Sequence, residues 1–201
     1  MSDIPILLLA AGSSSRMRGR DKLMELIDGQ PLVARQARAA RAATDGPVLV
    51  ALPPAPHPRL AALKGLDVTP VPVADAAEGM GVSLSTGIRA LPDDARAVMV
   101  LLADLPELTT ADLQTVLQAV EDQPGHDIWR GATMDGAPGH PIVFAAPMFP
   151  ELAALGGDEG GRSVVAAAGN AVCTVPLPGQ RALADLDTPE AWAAWRAARG
   201  D

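Results

Sequence analysis

The sequence predicts an α/β fold built on a mostly parallel sheet with helices on both faces. Strand-like and helix-like segments alternate along almost all of the 201 residues, which is the pattern of strands joined by helical crossovers. The strand-like runs over residues 4–10 and 97–103 contain no charged side chain, as strands covered on both faces require. Neither an internal repeat nor a low-complexity linker interrupts this pattern, so we predict a single domain over residues 1–201.

The first half of the chain carries most of the predicted sheet. Apolar runs bounded by turn residues predict strands over residues 4–10, 48–52, 68–73 and 97–103. Helical patterns lie between them, over residues 31–43, 57–64 and 80–91. Pro70 and Pro72 cannot donate hydrogen bonds to a ladder, so we place the strand over residues 68–73 near an edge of the sheet.

The second half contains the clearest helix signals. Thr109 and Asp112 form a capping-box pattern ahead of a helix, and Thr188 followed by Pro189 predicts the start of the last helix. Shorter strands are predicted over residues 127–133, 141–144 and 172–175. The glycine-rich, polar segments over residues 123–139 and 155–162 are predicted to be loops that lie over a site.

Composition and charge exclude several classes of protein. The net charge of −8 and the sequence pI of about 4.8 argue against an electrostatic surface for nucleic acid. No apolar run approaches the roughly 18 residues that a membrane span needs, and residues 1–4 lack the cationic start of a secretory signal. Cys173 stands alone, which excludes an intramolecular disulfide and a cysteine-rich metal site. We therefore predict a cytoplasmic protein whose partners include neither membrane nor nucleic acid.

The turn after the first strand concentrates positive charge in an acidic chain. Four of the sixteen basic side chains fall within seven residues, at Arg16, Arg18, Arg20 and Lys22. The small, hydroxyl-rich residues before them let backbone N–H groups approach an anion closely. The segment matches neither the phosphate loop of common ATPases nor the dinucleotide fingerprint. We predict that it binds a nucleoside triphosphate.

Asp104 directly follows the longest apolar strand. Ligands of open parallel sheets bind outside the carboxyl ends of the strands, and a carboxylate placed there is a good ligand for Mg²⁺. The alternative is that Asp104 only forms a turn or caps a helix.

Five ordered segments carry a resemblance to a known family. They are Leu-Ala-Ala-Gly-Ser-Ser-Ser-Arg-Met over residues 9–17 with Lys22 after it, Gly-Met-Gly-Val-Ser-Leu over 79–84, Leu-Leu-Ala-Asp-Leu-Pro over 101–106, Gly-His-Pro over 139–141 with Gly-Asp-Glu-Gly-Gly-Arg over 157–162, and Asp-Leu-Asp-Thr-Pro-Glu over 185–190. Together they resemble the MobA/MocA-like nucleotidyltransferases, and most nearly the molybdenum cofactor cytidylyltransferases among them. Arg18, Leu105 and Gly161 depart from the residues that are frequent in that family.

The resemblance implies a Rossmann-like nucleotidyltransferase fold of the glycosyltransferase-A type and a Mg²⁺-dependent reaction. CMP would pass from CTP to the phosphate of molybdopterin, with release of pyrophosphate. The implied partners are molybdoenzymes of the xanthine-dehydrogenase type and their chaperones. Two alternatives stay open: a nucleotidyltransferase that uses GTP or another phosphorylated acceptor, such as a sugar or alcohol phosphate, and a non-catalytic accessory protein that delivers the cofactor.

The resemblance also implies roles for individual residues. Arg16 and Lys22 would offset charge on the pyrophosphate, and Asp104 would bind the metal together with Asp187 or Asp185, although Asp187 could instead belong to the start of the last helix. The residues implied to bind substrate are Ala10, Ala11, Gly12, Ser13, Ser14, Gly79, Ser83, His140, Asp158 and Arg162. Ala11 favours CTP over GTP.

Several of these assignments keep an alternative. Ser83 could instead cap the helix that starts near it. His140, Asp158 and Arg162 are placed on the acceptor side, but His140 could be structural, and Asp158 and Arg162 could simply pair with each other.

Overall fold

The computed structural model describes residues 2–200 and contains one seven-stranded sheet and a two-stranded hairpin. The strands are β1 Ile6–Leu9, β2 Leu26–Ile27, β3 Gln30–Pro31, β4 Val48–Leu52, β5 Thr69–Pro72, β6 Ala97–Leu102, β7 Ile128–Ala132, β8 Pro138–Ala145 and β9 Val172–Pro176. The helices are α1 Leu32–Ala43, α2 Pro58–Ala62, α3 Met80–Arg89, α4 Thr110–Asp122, α5 Phe149–Ala153, α6 Arg162–Ala168 and α7 Pro189–Arg199. No helix within residues 2–200 is long and apolar enough to cross a membrane.

The strand order of the large sheet is β5-β4-β1-β6-β8-β7-β9. Strands β5, β4, β1 and β6 pair in parallel, whereas β8 pairs antiparallel with both β6 and β7. Strand β9 then pairs in parallel with β7. Only β8 runs against the other strands of this sheet, so the prediction of a mostly parallel sheet is confirmed. Strand β5 lies at an edge, where its two prolines are tolerated.

Helices cover both faces of the sheet, as predicted. On one face, the apolar side chains of α1, α4 and α7 pack into a cluster with Ile6, Leu8 and Met99. On the other face, α3, α5 and α6 pack into a second cluster with Leu7 and Leu9. Alternate residues of β1 therefore serve the two clusters, which is the period of a strand buried on both sides.

The predicted helix starts are also confirmed. Thr109 and Asp112 form a reciprocal capping box at the start of α4, and the Thr188 hydroxyl accepts from Ala191 N at the start of α7. Each bond satisfies a donor that the first helical turn leaves unpaired.

The glycine-rich segments differ from the prediction of loops. Strand β8 begins at Pro138, so Gly139 and His140 lie in the sheet, and Arg162 is the first residue of α6. A side chain at Gly139 would collide with the Ala182 carbonyl, which accepts a hydrogen bond from His140 N at 2.9 Å. This glycine therefore marks a close backbone approach within a strand rather than a turn.

Candidate active site

A cavity of about 270 Å³ opens at the carboxyl ends of β1 and β6, on the face covered by α3. Its lining includes nine of the side chains or backbone segments expected at the site: Ala10, Ala11, Gly12, Ser13, Lys22, Gly79, Ser83, Asp104 and Asp158. A neighbouring groove of about 430 Å³ shares Ala11, Gly12 and Ser13 with it and adds Ser14 and Arg59. The turn after β1 thus forms the common wall of two connected depressions, at the place where ligands of parallel sheets bind.

Lys22 lies at the centre of the charged side chains beside this cavity. Its Nζ donates to Asp104 Oδ2 and to Asp187 Oδ1, each at 2.5 Å. Burial opposes the charge of this ammonium group, but the two carboxylates outweigh it and raise the pKa of Lys22. Burial likewise opposes ionisation of Asp187, but the bond from Lys22 outweighs it and lowers the pKa of that carboxyl. Lys22 and Asp187 are therefore both charged at neutral pH.

A backbone hydrogen bond joins the acidic segment over residues 185–187 to Asp104. Leu186 N donates to Asp104 O at 3.2 Å, and this bond brings the carboxylate of Asp187 beside Lys22. Thr188 caps α7, so Asp187 is not the capping residue. Asp185 is the more exposed neighbour, and burial together with Asp187 raises the pKa of its carboxyl. Of the two candidates, Asp187 is the one that the structure places beside Lys22.

The donor set around Asp104 fits a divalent cation. Asp104 Oδ1 is buried and has no hydrogen-bond partner within residues 2–200, although buried polar atoms are nearly always paired. The same residues hold no group of three His, Cys, Asp or Glu side chains arranged around a metal position. Mg²⁺ commonly uses one or two carboxylates and completes its shell with water and substrate phosphates. Asp104 and Asp187 match that donor set.

The other basic residues of the turn are paired with carboxylates. Arg16 pairs with Asp187, Arg18 with Glu190 at 2.6 Å, and Arg20 with Glu25 at 3.1 Å. A triphosphate would therefore exchange partners with these side chains rather than meet free cations. Arg18 adopts a left-handed backbone with φ of +53°. Glycine adopts this conformation freely, whereas arginine does so at some cost in strain.

Gly79 and Ser83 form the opposite wall of the cavity. Gly79, not Ser83, precedes the first residue of α3, so the alternative of Ser83 as a helix cap is wrong. The Ser83 side chain is buried against the cavity. Gly81 N donates to Gly157 O at 2.8 Å, and this contact places Asp158 beside Gly79. Asp158 therefore lies on the wall of Gly79 and Ser83.

Replacing Gly79 with alanine is expected to destabilise the fold and to disturb this wall. Gly79 has a φ of +128°, and an added Cβ would lie 2.4 Å from the backbone of Gly157 and from the Asp158 carboxylate. We expect a loss of about 3 kcal/mol in the free energy of unfolding, measured by urea titration. Gly65→Ala is the matched control, because Gly65 also has positive φ but open space around it; it should cost only about 1 kcal/mol. Equal losses of stability in Gly79→Ala and Gly65→Ala would contradict the close approach of Gly157 and Asp158 to Gly79.

A second group of basic side chains lies beyond Asp104. Arg130 and His140 project to the same face of the sheet as Ile128 and Ile142, because side chains two apart share a face. Arg162 starts α6 on that face. Arg130 donates to Gly139 O at 3.0 Å, and neither arginine pairs with a carboxylate in the part of the chain that the structure describes.

The charges of Arg130 and Arg162 both act on His140. Burial lowers the pKa of His140 to about 4, with help from the charges of Arg130 and Arg162 and against the effect of Asp104. Burial and Arg162 also lower the pKa of Arg130. His140 is therefore a neutral imidazole at neutral pH. The charge of Arg162 acts on His140, and Arg162 forms no ion pair with Asp158 within residues 2–200.

His140 is expected to make the protein less stable in acid. The pKa of His140 in the folded protein is about 4 and lies below the ordinary value of 6.5. Between these two pH values the unfolded chain therefore binds a proton that the folded chain does not bind. Stability is complete above the ordinary value and falls as the pH drops towards the folded value. Between pH 7 and pH 4, the wild type should lose roughly 3 kcal/mol more than His140→Gln in urea unfolding. His126→Gln serves as control, and parallel losses in wild type and His140→Gln would refute the effect.

Arg59 is a site residue that the sequence pattern does not reveal. It lies in the short helix α2 and is almost completely buried, yet its guanidinium contacts Ala10, Ser14 and Asp21 in the turn after β1. No local motif marks it, since the sequence separates it from Ala10 by 49 positions. His57, to which the sequence assigned no role, caps the same helix through its ring nitrogen.

The fold and the site define the class of protein. A parallel sheet with a glycine- and serine-containing turn after its first strand, and with an aspartate at the end of a central strand, is the arrangement of Rossmann-like nucleotidyltransferases. Residues 6–172 match the profile of the MobA-like NTP transferase domain. The chain belongs to this family, and the predicted resemblance and fold class are confirmed.

Individual relatives agree with this assignment. The chain is 38% identical over 132 residues to a molybdenum cofactor guanylyltransferase of Burkholderia vietnamiensis, covering 64% of this chain and 62% of that protein. It is 32% identical over 120 residues to the purine catabolism protein PucB of Bacillus subtilis, covering 58% of this chain and 55% of PucB. The chain thus matches little more than half the length of these curated relatives.

Solved structures share the fold over nearly the whole chain. Rv0371c of Mycobacterium tuberculosis superposes with a TM-score of 0.80 at 26% identity, covering 96% of this chain and 98% of that one. Its homologue from Mycobacterium sp. strain JC1 gives 0.83 at 25% identity, covering 99% and 98%. A nucleotidyl transferase of Methanothermobacter, at 20% identity and a TM-score of 0.78 over 98% and 99% of the two chains, shows the fold alone.

Proposed function

We propose that this protein transfers CMP from CTP to the terminal phosphate of a molybdopterin-type cofactor and releases pyrophosphate. The observation that carries the proposal is the group of Lys22, Asp104 and Asp187 beside the cavity between the turn after β1 and α3. An acceptor oxygen forms a bond to the α-phosphorus of CTP, and the bond from that phosphorus to the pyrophosphate oxygen breaks. Such transfers depend mainly on positioning and charge neutralisation.

The turn after β1 is assigned to the triphosphate. Ala11, Gly12 and Ser13 line the cavity, and Ser14 lines the neighbouring groove. The backbone N–H groups of these four residues would bind the phosphates, together with Arg16 and Lys22 further along the turn. Arg16 is largely exposed, so its guanidinium can leave Asp187 for a phosphate without breaking buried packing. The positive charge of Lys22, which the neighbouring carboxylates maintain, would offset the charge that develops on the leaving pyrophosphate.

Asp104 and Asp187 are assigned to the metal. When bound there, Mg²⁺ supplies charge neutralisation at the transferring phosphoryl group. When no metal ion is bound, Lys22 holds the two carboxylates close to each other. An accessory protein that only delivers cofactor has no need of a buried, unpaired carboxylate oxygen such as Asp104 Oδ1, so this atom favours the enzyme over the carrier.

Arg130, His140 and Arg162 are assigned to the acceptor. The two guanidinium groups lie together without a carboxylate partner in residues 2–200, and guanidinium groups recognise phosphate by forked hydrogen bonds. Because His140 is neutral at neutral pH, it can donate or accept a hydrogen bond without adding charge. This arrangement would orient an acceptor phosphate towards the α-phosphate.

The choice of nucleotide rests on Ala11. Ala11 lines the cavity, and an alanine at this position leaves less room for a base than glycine would. This favours the smaller cytosine. The second candidate is transfer of GMP from GTP to the same acceptor, because the Burkholderia relative is named a guanylyltransferase.

A pyrophosphate-release assay separates these possibilities. Purified protein is given a molybdopterin-type cofactor, Mg²⁺ or Mn²⁺, and CTP, GTP or ATP in parallel, and the product is identified by mass. Cofactor-dependent release with CTP alone supports the proposal, and release with GTP replaces it with the second candidate. Release with none of the three nucleotides, by protein that binds CTP, would refute transfer to this acceptor. Arg96→Met, at the opposite ends of the strands, is a control that should behave as wild type.

A further inference from the structure

Arg59 makes more contacts with the nucleotide-binding turn than any local role in α2 would need. Its Nη1 donates to Ala10 O at 2.6 Å, and its Nη2 contacts Ser14 Oγ at 3.2 Å. Nε and Nη2 donate to the two oxygens of Asp21, each at 2.7 Å. The side chain is 3% exposed. A single buried cation therefore joins the beginning, the middle and the end of the segment over residues 10–22.

The groups that Arg59 holds are connected to Lys22. Asp21 Oδ1 accepts from Leu23 N at 3.0 Å and so caps the short helix Lys22–Met24. Ser14 Oγ accepts from Lys22 N and donates to Asp21 Oδ1, both at 3.3 Å. Burial opposes ionisation of Asp21, but Arg59 outweighs it and lowers the pKa of this carboxyl. The position of Lys22 thus depends on a network that is held by the guanidinium of Arg59, a residue of α2.

Packing alone does not account for this arrangement. A buried ion pair can often be replaced by apolar side chains without loss of stability, so a core position offers no reason to keep one. Ser14 has a left-handed backbone with φ of +54°, a strained conformation for a non-glycine residue. The planar fork of arginine can bond three separate groups at once, which the single ammonium of lysine cannot do in the same geometry. The contacts therefore specify the shape of the turn.

We propose that Arg59 is a positioning residue, which holds the turn over residues 10–22 in the shape that binds a nucleoside triphosphate. The proposal rests on the proposed function, because it assigns the triphosphate to this turn. Arg59 binds the carbonyl of Ala10 at the start of the turn. At the end of the turn it holds Lys22 indirectly, through its bonds to Asp21 and Ser14. The backbone N–H groups between them are then arranged before the ligand arrives, which lowers the entropic cost of binding.

Three variants test the proposal. Arg59→Lys keeps the charge but not the fork, Arg59→Met removes both, and Arg96→Met removes an arginine that pairs with Asp3 and Glu121 far from the site. Thermal unfolding reports whether each variant folds, titration calorimetry measures binding of CTP and GTP with Mg²⁺, and hydrogen exchange measures protection of the amides over residues 11–24. The conservative variant keeps the test valid if Arg59→Met fails to fold.

We expect Arg59→Lys to fold and to bind the preferred triphosphate about tenfold or more weakly, since each lost charge-assisted bond contributes to the shape of the turn. Its amides over residues 11–24 should exchange faster while those of the sheet do not, KM for the nucleotide should rise more than kcat falls, and Arg96→Met should match wild type. Unchanged nucleotide binding and exchange in Arg59→Lys would overturn the proposal. Wild-type protein that binds no triphosphate, but whose turn still loosens in Arg59→Lys, would refute the proposed function and leave the positioning of the turn supported.

Discussion

Replacing Asp104 with asparagine is expected to lower turnover about a thousandfold while the protein stays folded. The amide has nearly the same shape as the carboxylate but no charge, so it weakens both the metal site and the pairing with Lys22 Nζ. Asp104 Oδ1 has no hydrogen-bond partner in residues 2–200, so changing it breaks no second structural bond. Pyrophosphate release measures turnover, and electron paramagnetic resonance measures binding of Mn²⁺ to the same samples.

The control for this change is Asp67→Asn. Asp67 is a carboxylate that is 92% exposed, with a long contact to Arg41, and its loss should leave both turnover and Mn²⁺ binding as in wild type. If Asp104→Asn kept turnover within tenfold of wild type, Asp104 would not be the metal ligand of the reaction. If Mn²⁺ bound equally well to both variants, the metal would have to lie elsewhere.

Replacing Lys22 with methionine is expected to lower turnover at least about a hundredfold, because the charge that would face the pyrophosphate is lost. It should also cost about 3 kcal/mol of stability at neutral pH, since Asp104 and Asp187 then lose the buried ammonium group that both of them contact. In wild type, Lys22 holds the pKa of Asp187 below its ordinary value, so this pair stabilises the fold above that value and less in acid. The deficit of Lys22→Met should therefore shrink as the pH falls and the carboxylate of Asp187 becomes protonated.

The only other lysine of the chain supplies the control. Lys64 is exposed after α2, and Lys64→Met should change neither turnover nor the pH dependence of urea unfolding. Lys22→Arg tests whether charge alone suffices: it should recover most of the stability but less of the turnover, because guanidinium geometry differs from that of a compact ammonium. A stability deficit of Lys22→Met that is independent of pH would contradict the role of the two carboxylates.

The sequence predicted the helices and strands whose residue patterns lie within a single short segment. The apolar strands β1, β4 and β6, the capping box of Thr109, and the edge position of β5 all follow from nearest-neighbour chemistry, and the structure confirms them. Helices α5 and α6 are five and seven residues long, too short to show a helical period. The first residues of strand β8 were not predicted, because pairing with β7 outweighs the turn preference of Pro138 and Gly139.

The same distinction holds for the site. The cavity walls were predictable, because chain segments at the carboxyl ends of parallel strands must meet there. The pairing of Lys22 with Asp187 spans 165 positions in the sequence, and the bonds from Arg59 to Asp21 span 38. Spacing in a sequence carries no information about such contacts, so the sequence could nominate Asp187 but not decide against Asp185, and it could not find Arg59 at all.

The bond from Leu186 N to Asp104 O has a consequence for the order in which the molecule becomes active during its synthesis. Strands β1, β4 and β6 are complete once residue 102 has been made, and N-terminal parts of a chain can begin to fold during translation. Asp187, however, supplies one of the two carboxylates that accept hydrogen bonds from Lys22. A nascent chain that has its central strands therefore still lacks the assembled centre, and this centre forms only after residue 187 has left the ribosome.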